Sequence, residues 1–237
     1  MQQPVTIAIL DSVPETYWAD DCGFTDAQKF VDLLQPLNGA ARFDIFYASR
    51  GEFPRDLGAY DGILLTGSPC SVHDDHDWIA RLLELVREAE RRQLRVVGSC
   101  FGHQLLARAF GGDVGYNENG WMIGNYRVHI DGDFDWMQPG ATGTGLYHFN
   151  QERVTRLPDG AVAFARTDEY DAFGMTLGER IMSFQGHPEQ PRRAMVNFLA
   201  AMDSLDEAQR DSAHRRIDDG EPDAGIWGEW MMRFFTR

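Results

Sequence analysis

The segment Arg95-Val96-Val97-Gly98-Ser99-Cys100-Phe101-Gly102-His103-Gln104 runs from an apolar strand, through a cysteine with glycine two places to either side, into Leu105-Leu106-Ala107-Arg108, which reads as helix. A strand, a sharp turn and a helix with the nucleophile at the bend make a nucleophile elbow, here with cysteine in place of serine. The glycines have a steric reason: at so tight a turn a side chain two residues either way would collide with neighbouring strands. The turn also sets the thiol at a helix N-terminus, where the dipole and free N–H groups favour thiolate over thiol. A lone cysteine on a strand would read as a buried structural residue. Glycines on both sides favour the elbow.

Working outward, short apolar strands alternate with amphipathic helices. Residues 5–10, 43–47, 62–66 and 94–98 read as strands. The continuously apolar 62–66 suits a parallel sheet covered on both faces. Residues 25–35, 77–92 and about 101–110 read as helices, the second with Trp78, Ile79, Leu82, Leu83 and Val86 on one face and charges on the other. Gly111-Gly112 marks the end of the third. From about 113 to 184 the chain turns glycine-rich and strand-rich, with strands expected at 125–130, 145–149, 162–165, 172–175 and 181–184. A βαβ half followed by such a stretch predicts an α/β fold, an open, mostly parallel sheet carrying a hairpin extension. Helices return at 190–203 and 205–217. An acidic loop at 218–223 and an aromatic, apolar tail at 226–235 follow. No linker separates two bodies, so residues 1–237 read as one domain with a C-terminal helical tail of about 205–237.

Composition narrows the function. The 237 residues are 43% apolar and 25% charged, which excludes a disordered or fibrous chain. A net charge of -15 disfavours nucleic acid and anionic membranes as partners, because both are held by basic faces. No run approaches the ~18 apolar residues of a membrane span, and Met1-Gln2-Gln3-Pro4 lacks the basic flank of a signal peptide. Cys22, Cys70 and Cys100 form a sparse, odd set without disulfide spacing, pointing to a reducing cytoplasm. Lys29 is the sole lysine and falls in a helical surface pattern.

A cysteine nucleophile needs a base. Of the seven histidines, His187 stands out in Gln185-Gly186-His187-Pro188-Glu189, directly after strand 181–184. Pro188 stiffens the turn, and Glu189 can reach back to the second ring nitrogen and fix the tautomer. Cys100, His187 and Glu189 are therefore available in chain order as nucleophile, base and orienting acid. His73-Asp74-Asp75-His76-Asp77 invites a metal reading, but no matching ligands occur elsewhere, and aspartates ahead of a helix serve as N-caps. Neither metal nor cofactor is expected. His103 reads as packing, Cys22 and Cys70 as structural, and Trp227, Trp230, Phe234 and Phe235 as a docked hydrophobic tail.

With these residues in place the chain resembles the class I (triad) glutamine amidotransferase family. The shared pattern is Gly98-x-Cys100-x-Gly102-x-Gln104, then His187-Pro188-Glu189. It extends to Leu64-Leu65-Thr66-Gly67-Ser68-Pro69 and Leu157-Pro158-Asp159-Gly160-Ala161, and covers about residues 5–200 of what reads as a free-standing member. The resemblance implies a flavodoxin-like three-layer sandwich with a small antiparallel β extension. It implies that Cys100 attacks the γ-carboxamide carbon of glutamine or a γ-glutamyl amide, with His187 as general base and then acid. Phe101 N–H and one N–H of the Gly67-Ser68 turn would form the oxyanion hole. Gln104, Phe149 and Asn150 would meet the substrate. Two positions depart from the pattern: Ser68 stands where the family has a second turn glycine, and the loop Asn150-Gln151-Glu152 lacks the family's histidine, with His148 displaced. The implied activity is a cysteine-dependent amidohydrolase working through a γ-glutamyl thioester and releasing glutamate with ammonia or an amine. A glutaminase subunit feeding a synthase or ligase partner, and a non-catalytic scaffold of the same fold, are the alternatives.

Overall fold

A computed structural model describes residues 4–20 and 24–237. The first half alternates β1 (Thr6–Asp11), α1 (Asp26–Leu34), β2 (Arg42–Tyr47), β3 (Gly62–Leu65), α2 (Asp77–Arg91), β4 (Arg95–Ser99) and α3 (Phe101–Ala109). The middle is strand-rich: β5 (Asp113–Tyr116), β6 (Met122–Ile130), β7 (Gly143–Asn150), β8 (Glu152–Arg156), β9 (Ala161–Arg166), β10 (Gly174–Leu177) and β11 (Ile181–Phe184). Helices α4 (Arg192–Ala200), α5 (Glu207–Ile217) and α6 (Ala224–Phe235) close the chain.

Nine strands form one sheet in the order β2-β1-β3-β4-β11-β10-β9-β6-β7. The first five run parallel. Their order is that of a doubly wound flavodoxin-like sheet, whose ligand site lies beyond the C-terminal strand ends. The antiparallel extension is larger than a hairpin: β10, β9, β6 and β7 continue the same sheet. β5 and β8 add a separate two-stranded ribbon.

The two-residue period of a strand divides the core. On β3, Leu64 faces a cluster with Phe30, Leu34, Trp227 and Trp230 from α1 and α6. Ile63 and Leu65 face the opposite cluster, built from α2 and α3 with Ile79, Leu82, Val86, Leu105 and Leu106. The aromatic tail is thus the helix α6, docked rather than displayed. Its indoles donate to Thr144 Oγ1 (3.0 Å) and the Pro139 carbonyl (2.9 Å). Gly62 allows the contact, since a Cβ there would lie 2.5 Å from the Phe235 ring. Among the described residues no helix is long and apolar enough to cross a membrane.

Three local expectations shift. The strand expected at 172–175 is Gly174–Leu177, because Phe173 turns into the core and pairing with β11 begins one residue later. Helix α4 is shorter than 190–203, starting after Pro191, which leaves Gln190 outside it. Ahead of α2 no aspartate caps the helix: the N-cap position is His76 without a side-chain bond, and Asp74 accepts instead from Ser71 N–H. Cys22 lies outside the described residues.

Candidate active site

Cys100 occupies the bend between β4 and α3 with φ 51° and ψ -106°. This is left-handed space that a side chain enters only at a cost of about 1–3 kcal/mol. The surroundings impose it. Cys100 N–H donates to the Phe184 carbonyl at 2.9 Å, and Gly102 N–H to the Thr66 carbonyl at 3.2 Å. A Cβ at Gly98 would fall 2.7 Å from the Gly102 carbonyl, and one at Gly102 would fall 2.7 Å from Leu65 Cβ. One flanking glycine therefore clears a neighbouring strand, as expected, and the other clears the first turn of α3.

His187 arrives from a distant part of the chain because β11 lies beside β4, with Phe184 opposite Ser99. The loops that leave the two strands start side by side. Ser99 Oγ donates to the Gly186 carbonyl at 2.9 Å, and His187 N–H donates to the Tyr147 carbonyl at 2.8 Å. Glu189 Oε1 lies 2.7 Å from His187 Nδ1, which leaves Nε2 toward the sulfur. Burial alone would lower the imidazole pKa. Negative charge on Cys100 and Glu189, both hydrogen-bonded to the ring, outweighs it and holds His187 well above its usual range. Gly67 packs on this pair: a Cβ there would stand 2.9 Å from His187 Cε1 and 3.7 Å from Cys100 Cβ. Ser68, the departure from the family turn, ties that turn to the residue after β1 by donating from Oγ to the Ser12 carbonyl (2.7 Å).

Behind Glu189 lies a buried network that sequence reasoning missed. Lys29 is not on the surface; it is 6% exposed. Its ammonium donates to Asp26 Oδ1 (3.0 Å) and Gln190 Oε1 (2.8 Å). Gln190 Nε2 in turn donates to Asp26 Oδ1 (2.7 Å) and Glu189 Oε1 (3.3 Å). Asp11, at the end of β1, is pushed up to about 6, first by burial and then by the charge of Asp26. A second chain runs on the other side of the sulfur. Gln104 Nε2 donates to Gln185 Oε1 (3.1 Å) and to the Glu152 carbonyl (2.9 Å), and Gln185 Nε2 donates to Cys100 Sγ (3.3 Å). Gln104 lines the cavity, with its amide nitrogen engaged in holding Gln185. Gln185 and Gln190 flank the quoted histidine motif, and that position was the signal available for them.

Cys100 and His187 open into a cavity of about 430 Å³ that Ser68, Gln104, Phe149 and Asn150 also line. Trp121, Phe149 and Phe198 form an aromatic wall with ring centroids 5.7 and 5.4 Å apart. Asn150 Nδ2 donates to the Glu152 carbonyl (3.1 Å), and its Oδ1 has no hydrogen-bond partner among the described residues. Phe101 is buried under the turn, so only its backbone could serve the site. Cys70 lines the cavity as well, rather than being merely structural, and burial raises its pKa. Its sulfur lies within 4.8 Å of ligand atoms of Asp74 and His76, which adds Cys70 to two members of the His73–Asp77 stretch. The remaining histidines of interest are packing residues. Burial pushes His103 down to about 4, between Ser183 Oγ (2.9 Å) and the Ala172 carbonyl (3.0 Å). Burial, then the charge of His187, pushes His148 down to about 3, between the rings of Tyr126 and Phe173.

The model of the class-I glutamine amidotransferases matches residues 42–200, which hold both Cys100 and the His187-Pro188-Glu189 turn. The chain belongs to that family. Within this amidotransferase family, gamma-glutamyl peptidase 5 of Arabidopsis thaliana is 29% identical over 81% of each chain. A gamma-glutamyl-L-1-hydroxyisopropylamide hydrolase of a Pseudomonas species is also 29% identical, over 84% of this chain and 68% of its own. Among solved structures, a glutamine amidotransferase of Thermotoga maritima superposes with a TM-score of 0.78, at 19% identity over 99% of this chain and all of that one, a likeness of fold.

Proposed function

We propose that this chain is a hydrolase of γ-glutamyl amide bonds, with Cys100 as nucleophile, His187 as general base and acid, and Glu189 orienting the imidazole. In the first half-reaction the sulfur bonds to the γ-carboxamide carbonyl carbon, His187 passes the proton it holds from the thiol to the leaving nitrogen, the carbon–nitrogen bond breaks, and an amine departs. In the second half, water attacks the thioester while giving a proton to His187. That proton returns to the sulfur as glutamate leaves. The developing oxyanion meets Phe101 N–H at the start of α3 and Ser68 N–H, each such donor contributing about 3–4 kcal/mol to transition-state stabilisation. Gly67 lets the turn approach the imidazole, and Phe149 and Asn150 line the substrate side.

The observation that carries the reading is the strained cysteine (φ 51°) held beside an imidazole that is bonded to a buried carboxylate at 2.7 Å. The names of the Arabidopsis and Pseudomonas relatives agree with it. The test is incubation with a glutamine-mimicking chloroketone followed by peptide mass spectrometry. We expect one adduct, on Cys100, and release of glutamate from γ-glutamyl amides that is lost in Cys100→Ala. No adduct on an intact fold would make the chain a non-catalytic scaffold. Glutamine hydrolysis seen only after a synthase is added would reassign the site to ammonia supply.

A further inference from the structure

Resting on the proposed γ-glutamyl reaction, we infer that the leaving amine is one with an apolar body and no carboxylate. The leaving nitrogen must face His187 to take its proton, so the leaving group occupies the part of the cavity that His187 shares. Asp26, the first residue of α1, lines the cavity on that side. The cavity's apolar lining includes Tyr17, Phe198 of α4 and Met202 just beyond that helix. Asp26 Oδ2 lies 3.5 Å from where a Gly67 Cβ would stand, the same spot that lies 2.9 Å from His187 Cε1.

No arginine or lysine lines the cavity among the described residues. The nearest ammonium, Lys29, is 6% exposed and points its hydrogen bonds at Asp26 and Gln190. An amino-acid leaving group would bring a carboxylate into a partly apolar space beside Asp26, with no partner for it. Leaving a charge unpaired out of water is among the strongest sources of discrimination a site can have. An alkylamine meets only the aromatic and thioether surfaces. The glutamyl half of the substrate is the same in either case, so its own charges do not enter the comparison.

The test compares γ-glutamyl-isopentylamide with γ-glutamyl-β-alanine on the wild-type protein. The two leaving groups have nearly the same shape, with an isopropyl group in one where the other has its carboxylate. We expect kcat/KM at least tenfold higher for the isopentylamide, with the difference in KM as well as kcat. In Asp26→Asn the preference should narrow, because the buried Lys29 ammonium loses its carboxylate and can then offset an anionic leaving group. Equal or faster hydrolysis of the β-alanine derivative by the wild type overturns this inference and leaves the γ-glutamyl reaction standing. Hydrolysis of neither compound removes the γ-glutamyl reading, and this inference with it.

Discussion

Replacing Lys29 with methionine removes one ammonium from the interior and changes little else. Methionine keeps the length and apolar character of the stem, while the ammonium it removes lies 5.6 Å from the Phe198 ring centroid. What is lost is the cation that compensates Asp26. Both side chains of the pair are 6% exposed and 3.0 Å apart, so solvent cannot take over the role. Breaking a buried pair from one side costs about 3–5 kcal/mol, because the partner's charge stays behind unpaired. The cost is sharpened here by Asp11, already held up to about 6 in part by Asp26, so that two carboxylates would face each other without a cation. Urea denaturation followed by fluorescence, with Trp227 and Trp230 buried as reporters, should show Lys29→Met destabilised by about 3–5 kcal/mol at pH 8. The deficit should shrink at pH 5, since uncompensated carboxylates take up protons more readily in the folded variant than in its unfolded chain, so acid favours folding. Lys29→Met with Asp26→Asn should recover most of the loss, as the amide can still bond Gln190. A single variant within about 1 kcal/mol of wild type at pH 8, or a double variant as unstable as the single, would refute the argument.

Two further outcomes follow from the geometry. At φ 51°, Cys100→Gly should be more stable than Cys100→Ala by about 1 kcal/mol, reversing the usual order of glycine and alanine, although neither turns substrate over; thermal melts of the two variants decide it, and equal stability would mean that the bend is not strained. Stability should also fall as pH drops from about 6.5 toward 4: His103 and His148 are held neutral at about 4 and 3 in the folded state but take up protons in the unfolded chain, and a shift from 6.5 to about 4 alone is roughly 3 kcal/mol. Asp11 acts with the opposite sign between about 4 and 6, because the folded state there binds the proton that the unfolded state has released. The informative measurement is therefore the difference between wild type and His148→Phe, whose acid slope should be shallower; identical slopes would place the acid loss elsewhere.

The parts of this site that could be read from the sequence are those fixed by local rules, and the parts that could not are those fixed by which strands become neighbours. The elbow is local. Its glycines, its strand and its helix all lie between Arg95 and Ala109, and the steric demand that selects them acts there. Glu189 reaching back to His187 is local too, two residues apart. That His187 then meets Cys100 depends on β11 pairing with β4, yet the motif around each residue was distinctive enough to pair them in advance. Lys29 had no such mark. Its three-residue spacing from Asp26 on α1 is equally that of an exposed ion pair, and only the arrival of Gln190, 161 positions later, turns that face inward. Gln104 was legible in part. Its spacing from Cys100 correctly put it on the cavity side of α3, but the direction of its amide was decided by Gln185, from another strand. The same limit explains β5 and β8, short segments with little alternation whose pairing with each other creates the ribbon that neither suggests alone. The chemistry is thus written locally at two turns, while what tunes it (the Lys29–Asp26–Gln190 cluster on one side, Gln104 and Gln185 on the other) is supplied by non-local packing. Variants at those five polar supports should therefore separate rate and stability effects more cleanly than variants of the triad, where every change removes the reaction itself.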